Sequence, residues 1–233
     1  MRISKYGILL TSLKEEDIEL VRKKRNSEVI RNTMEYRDII TPEMQKAWFK
    51  SVDSAIHHDQ VPSFYFIIHY NHEKIGLING KNIDLDSGSS EGGFFIWAQQ
   101  YWGTLIPVMT SIITLDYTFL INNYRDNYIK VMQSNTNAIF YNKQLGYEIS
   151  DRQSNDPESQ YFVLTKERYL QKAEKFRKSI GIITSDYYPL SLRDLDFNDT
   201  TDETLINIYN NLRPFQQSLV KQILALQNRS LHL

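Results

Sequence analysis

One stretch near the middle of this chain limits the folds open to it more than any other. An apolar strand, "GFFIW", leads through a polar turn into a helical segment, and a second strand, "YIKVMQSN" (residues 128–135), follows. A strand–helix–strand unit places its strands side by side and parallel, with the helix crossing over one face of the sheet. The segments before it read differently. "SFYFIIHY" (63–70) and "KIGLINGKNID" (74–84) are separated only by "NHE" and are rich in β-formers, which predicts an antiparallel hairpin. The chain therefore reads as a mixed sheet, with antiparallel strands leading and one parallel crossover in the middle.

The remaining elements fit around that unit. "YGILLTSL" (6–13) reads as a first strand. A helix is expected over residues 14–34, where Ile18, Val21, Val29 and Ile30 recur near helical spacing and acids crowd the start. Thr41-Pro42-Glu43 supplies a cap, a proline at the first helical position and an acid behind it, so another helix begins there and carries Trp48, Phe49 and Val52. The crossover helix is expected from about 107 to 120. A short helix then ends at Gly146, and "YEISDRQ" and "QYFVLTKE" make a final strand pair. Beyond about residue 166 come a charged helix, a loop-rich connection from "GIITSDYY" onward and a helical hairpin broken at Pro214. The expected organisation is one domain over residues 1–170 and a helical extension over 171–233. The stripe of Leu205, Ile208, Leu212, Leu219, Val220, Ile223 and Leu224 packs on its own domain or, alternatively, serves as a homodimer contact or docking element.

Composition excludes several classes of function. Lys and Arg number 27 against 28 Asp and Glu, a net charge of -1, so there is no basic excess to hold a nucleic acid. With no cysteine, disulfides, thiolate metal sites and a cysteine nucleophile are all ruled out. The N-terminal segment lacks the apolar run of a signal peptide, and no stretch is apolar enough to span a bilayer. The expectation is a cytoplasmic protein without a membrane partner. His57 and His58 are adjacent and point apart, while His69 and His72 flank a turn with only Glu73 nearby, so no metal site is expected.

The turn at Gly103-Thr104, with Pro107 just inside the helix, offers unpaired backbone N–H groups and a helix dipole to an anion. No Lys or Arg lies between Lys81 and Arg125, so an anion there would be held by backbone amides. Taken by itself, the turn reads better as an ordinary strand–turn–helix junction.

The second half of the unit decides between these readings. Asn135, the pair Ala138-Ile139 and the ending Leu145-Gly146-Tyr147 resemble the GNAT superfamily of acetyl-CoA-dependent N-acetyltransferases. Residues 25–52 are similar to that family's N-terminal helix pair. Glu91-Gly92-Gly93 is similar to the branch that acetylates amino sugars on nucleotide carriers, of the pseudaminic acid pathway type. The resemblance covers roughly residues 5–168. It implies the GNAT fold, an α/β (α+β) architecture whose mixed sheet has two splayed central strands. Acetyl-CoA would then lie in the splay, as co-substrate.

What the resemblance implies can be stated residue by residue. The pantetheine arm would pair with backbone near Ile96, Trp97 and Ala98. The pyrophosphate would meet Trp102, Gly103, Thr104, Leu105, Ile106, Val108 and Met109, and Asn135 and Asn142 would complete the cofactor contacts. In one alignment Trp102, Leu105 and Pro107 stand where the family usually has a basic residue and two further glycines; shifted by two, Gln100 and Gly103 match the family pattern and Leu105 does not. Glu91 would act as base, and Asn142 or Tyr141 would meet the leaving thiolate. Arg25, Asn26, Gln45, Asn79 and Lys81 would line the acceptor pocket, with Arg25 and Lys81 suited to a nucleotide diphosphate. The amine would attack directly in a ternary complex. The rival readings are a non-enzymatic GNAT-like binding module and an N-acetyltransferase for a protein N-terminus or small amine.

Overall fold

Two residues with left-handed backbone begin the fold. In the computed structural model, which describes residues 1–57, 63–198, 200, 202–210 and 212–229, β1 (Arg2–Lys5) and β2 (Ile8–Ser12) pair antiparallel across Tyr6-Gly7. Both turn residues have positive φ, 54° and 78°, as two-residue hairpins prefer. The single strand expected over 6–13 is thus corrected to a hairpin, with Tyr6 in the turn and its hydroxyl donating to the Tyr188 carbonyl. The same device joins β3 (Phe64–Tyr70) to β4 (Glu73–Asp84), where Asn71 and His72 are both left-handed.

The helix expected over 14–34 is broken. A 3-10 turn (Glu15–Asp17) leads into α1 (Ile18–Arg25), and a short α2 (Glu28–Arg31) follows. Ser27 separates them with ψ of 138°, outside the helical region. α3 (Pro42–His57) starts as expected, and the Thr41 hydroxyl accepts from the Met44 N–H. After β5 (Ser89–Ile96) the crossover helix α4 (Ile106–Asp116) continues as one π turn (Tyr117–Ile121) before β6 (Asp126–Met132). α5 (Thr136–Leu145) is closed at both ends. The Asn135 side chain accepts from the Ala138 N–H, and Gly146 ends the helix with φ of 107°. β7 (Glu148–Ile149) and β8 (Ser159–Thr165) pair antiparallel.

α6 (Lys166–Thr184) runs past the loop start expected at Gly181. The Tyr187 ring packs directly over that glycine; an added Cβ would lie 2.2 Å from it. This glycine marks a close contact rather than a break. β9 (Leu195–Asp196), α7 (Asp202–Asn210) and α8 (Pro214–Leu226) complete the chain.

The nine strands form one sheet in the order β7-β8-β6-β5-β4-β3-β2-β1-β9. β5 and β6 alone run parallel in it. Their pairing covers only Ser89–Gly92 against Asp126–Ile129. Past Gly92 each strand stays with its other neighbour: β5 keeps β4 as far as Ile96 opposite Gly76, and β6 keeps β8 as far as Met132 opposite Ser159. The sheet therefore opens into a V between them.

Each face of the sheet is covered. On one side Val21, Ile30 and Val52 from the first three helices pack on Tyr65, Ile67, Leu77 and Trp97. On the other, α4 and α6 join the main core, which also takes in Leu205, Ile208, Val220 and Leu224 from α7 and α8. β9 covers the free edge of β1, a row of backbone groups otherwise open to pairing. Asp116, fully buried, ties these layers together. It accepts hydrogen bonds from Tyr169 (2.6 Å) and the Leu190 N–H (2.9 Å), and it pairs with Arg177. No helix among the described residues is long and apolar enough to cross a membrane.

Candidate active site

The V opens into a cavity of about 940 Å³ that reaches both faces of the sheet. Side chains alternate along a strand, so Glu91, Gly93 and Phe95 line it on the side of α1–α3, while Gly92 and Phe94 line it on the side of α4.

Backbone direction along β5 decides which groups face the opening. The Trp97 and Ala98 N–H groups both donate to the Ile75 carbonyl on β4, at 2.9 and 3.3 Å. They point away from the V, which corrects the expectation that they would meet the pantetheine arm. Since hydrogen-bonding direction alternates residue by residue, Phe94 and Ile96 turn their backbone groups into the V. Phe94 was not singled out from the sequence; the strand's alternation finds it once Trp97 sets the phase. The Ile96 carbonyl accepts from the Trp102 indole N–H at 2.9 Å.

At the turn before α4, Gly103 takes φ of 72° with open space where a Cβ would stand. The Ile106 N–H donates to the Thr104 hydroxyl and the Met109 N–H to the Leu105 carbonyl. Those two donors, expected for an anion, are therefore used locally. Pro107 has none, and the N–H groups of Leu105 and Val108 remain.

Glu91 is buried, 4% exposed, and bonded on both oxygens. Lys81 lies 3.2 Å from one; Asn82 (3.1 Å) and Tyr161 (3.4 Å) donate to the other. Tyr141 donates its hydroxyl to the Pro107 carbonyl (2.9 Å) or the Ser111 hydroxyl (2.8 Å), which ties α5 to α4. Burial pushes its phenol well above the usual tyrosine range. Asn142 donates to the Ala138 carbonyl and lines the cavity, as does Asn135.

Four of the five expected acceptor residues line the same cavity: Arg25, Gln45, Asn79 and Lys81. Asn26 does not. Its side-chain amide clasps the Ile40 backbone from both sides, donating to the carbonyl and accepting from the N–H. Among the described residues, two buried polar atoms of the cavity wall, Gln45 Nε2 and Asn79 Oδ1, have no hydrogen-bond partner. Gly93 makes room for the second, since a Cβ there would lie 2.4 Å from Asn79 Oδ1. Arg25 donates to the Tyr36 carbonyl at 3.3 Å and makes no ion pair among the described residues. Burial pulls its pKa below the ordinary arginine value. The connection before α3 also lines the cavity through Glu35 and Tyr36, which the sequence reading missed. It is strapped across the V by Glu35–Lys130 (2.6 Å) and Arg37–Glu158 (3.4 Å). No cluster of three metal-ligating side chains exists among the described residues; His58 and the side chain of His57 lie outside them.

A family of acetyltransferase (GNAT) domains matches residues 10–158. The chain belongs to the GNAT acetyltransferases. It is an acyltransferase, and the splayed β5 and β6 are that family's central strands. Among solved structures, a nucleotide-linked sugar GNAT, FdhC in its apo form, aligns with a TM-score of 0.62 and 16% identity over 78% of this chain and 99% of that one. The spermidine N-acetyltransferase of Vibrio cholerae, solved with CoA and spermine, aligns with a TM-score of 0.57 and 18% identity over 71% of this chain and 99% of that one. At such identities the likeness is one of fold. No curated protein matches the sequence.

Proposed function

We propose that this GNAT enzyme moves an acetyl group from acetyl-CoA to a primary amine on a nucleotide-linked amino sugar. One observation carries the choice of acceptor. Of the three cations that line the cavity among the described residues, Lys81 is paired with Glu91 and Lys130 with Glu35, whereas Arg25 has, among those residues, a carbonyl contact and no carboxylate. A half-buried guanidinium without a carboxylate suits a phosphate, which it can grip with two parallel N–H bonds. A polyamine would need the opposite, carboxylates left free, and both glutamates of the cavity are already neutralised. The orphaned donor of Gln45 and acceptor of Asn79 match the alternating donors and acceptors of a sugar.

The chemistry follows from the groups around the V. The thioester arm adds to the open edge of β5, with the N–H groups of Phe94 and Ile96 as donors for its carbonyl oxygens. The amine nitrogen attacks the thioester carbon; the C–N bond forms and the C–S bond breaks. Glu91 takes the proton that the nitrogen sheds. A carboxylate offers about four lone-pair positions, and three are filled by Lys81, Asn82 and Tyr161, which leaves one for the amine. Asn142, with one amide hydrogen still uncommitted, meets the departing sulfur, which takes its proton from solvent. Tyr141 acts here as a brace between α4 and α5.

The test is release of free CoA thiol from acetyl-CoA across a panel of UDP-, GDP- and dTDP-linked amino sugars, with spermidine and an N-terminal peptide in parallel. Turnover of at least one nucleotide sugar, at more than about tenfold higher kcat/KM than spermidine, is the expected result. Preference for spermidine or the peptide would overturn the assignment of acceptor.

A further inference from the structure

The cavity does not stop at the V. On the α4 side it continues between Gly92 and Ile129, where the strands separate, and the face of α4 and its π turn that carries Ser111, Thr114, Leu115 and Thr118. We infer that this inner lobe binds the acyl chain of the donor, and that it holds a short chain longer than acetyl, in the butyryl to hexanoyl range, more tightly than the acetyl group. The inference rests on the acyl-transfer reading above and deepens it at the donor.

The two sides of the cavity differ in their unmet polar groups. Both orphaned atoms of its wall, Gln45 Nε2 and Asn79 Oδ1, lie on the acceptor side. On the α4 wall of the inner side the polar side chains already have partners. Thr114 and Thr118 donate back to carbonyls one turn earlier, at 3.1 and 2.9 Å. The Ser111 hydroxyl is held by Tyr141, and Asn127 is held between Ser90 and Tyr147. A wall whose polar side chains each already have a partner favours hydrocarbon over water or a polar group more than a wall with orphaned atoms does. The threonines keep a methyl group each to offer it.

The lobe also has length. Thr114 on α4 and Thr118 on the π turn that continues it are one turn apart, roughly 6 Å, the span of about four extended methylenes. An acetyl group would fill only its mouth. Gly92 holds that mouth open, because a Cβ there would stand 3.2 Å from Asn127 Oδ1 and 3.5 Å from Ile129 Cγ2, across the entrance.

Calorimetry on the full chain tests this without knowing the acceptor, using free CoA, acetyl-CoA, butyryl-CoA and hexanoyl-CoA as titrants. The expected result is a Kd roughly tenfold lower for butyryl-CoA than for acetyl-CoA, since each buried methylene adds a few-fold. Thr114→Leu, which occupies the lobe without removing a partner from another side chain, should cut the butyryl-to-acetyl preference to near unity. If acetyl-CoA binds and butyryl-CoA binds no tighter to the wild-type chain, the lobe assignment falls while the acetyltransferase reading stands. If neither free CoA nor any thioester binds at millimolar concentration, both fall.

Discussion

Glu91 illustrates what a single residue owes to its neighbours. In sequence it is an acid before two glycines; in the structure it is an almost fully buried carboxylate on β5, held by a lysine, an amide and a phenol. If it takes the proton of the attacking amine, Glu91→Gln keeps shape and most hydrogen bonds but loses the base. We expect kcat to fall by about 100-fold, the usual lower range for losing a general base, with Kd for acetyl-CoA within about twofold of wild type. Steady-state kinetics beside calorimetry separates the two, and an unchanged kcat would remove Glu91 from the chemistry. At this scale the sequence was informative about residue type and less so about direction. The place of Arg25, Gln45, Asn79 and Lys81 in one cavity wall was legible because they match a family pattern. The inward-facing backbone of Phe94 was not, because phase along a strand depends on where Trp97 finds its partner.

At the scale of elements, the α4–α6 contact holds the rear wall of the cavity in place. Asp116 sits in α4 with no exposed surface, and Arg177 from α6 supplies its countercharge. Removing one partner of a buried pair leaves an uncompensated charge. Arg177→Met should therefore cost about 3 to 5 kcal/mol of stability, read by urea unfolding; a loss below about 1 kcal/mol would show that Tyr169 and the Leu190 N–H suffice for Asp116. The element boundaries show where local sequence signals mislead. Gly181 reads as a breaker, yet it lies inside α6 because a tyrosine ring needs the space. Tyr6 reads as a strand residue, yet it sits in a left-handed turn, because Gly7 beside it completes a two-residue hairpin. The Asn135 cap and the Gly146 terminus of α5 were legible because capping is local chemistry, needing no distant partner.

Taken whole, the molecule buries many phenols in its core. Tyr117, Tyr147 and Tyr169 are buried and Tyr141 packs partly buried against the same core, and burial pushes each one's pKa above the ordinary value near 10. The folded chain keeps those protons at a pH where the unfolded chain releases them. Stability from this source is complete below about pH 10 and declines above it, by up to about 1.4 kcal/mol per pH unit for each tyrosine. Urea midpoints measured from pH 8 to 11.5 should hold level to about 10 and then drop steeply; a flat profile to 11.5 would contradict the burial. The mixed sheet and its one parallel crossover were legible in the sequence from spacing alone. The stripe of the extension was legible in part: packing on its own domain was the first of its two readings, and Leu205, Ile208, Val220 and Leu224 meet the same core as α4 and α6, although an apolar stripe does not say which surface it meets.

All of this depends on the V between β5 and β6 receiving the acyl donor through the backbone of β5. Amide hydrogen exchange, resolved by residue with and without acetyl-CoA, measures that directly. Saturating acetyl-CoA should slow exchange at Phe94 and Ile96 by at least about tenfold, while Trp97, already bonded to Ile75, stays as it was. Unchanged exchange at Phe94 and Ile96 in millimolar acetyl-CoA would contradict the account.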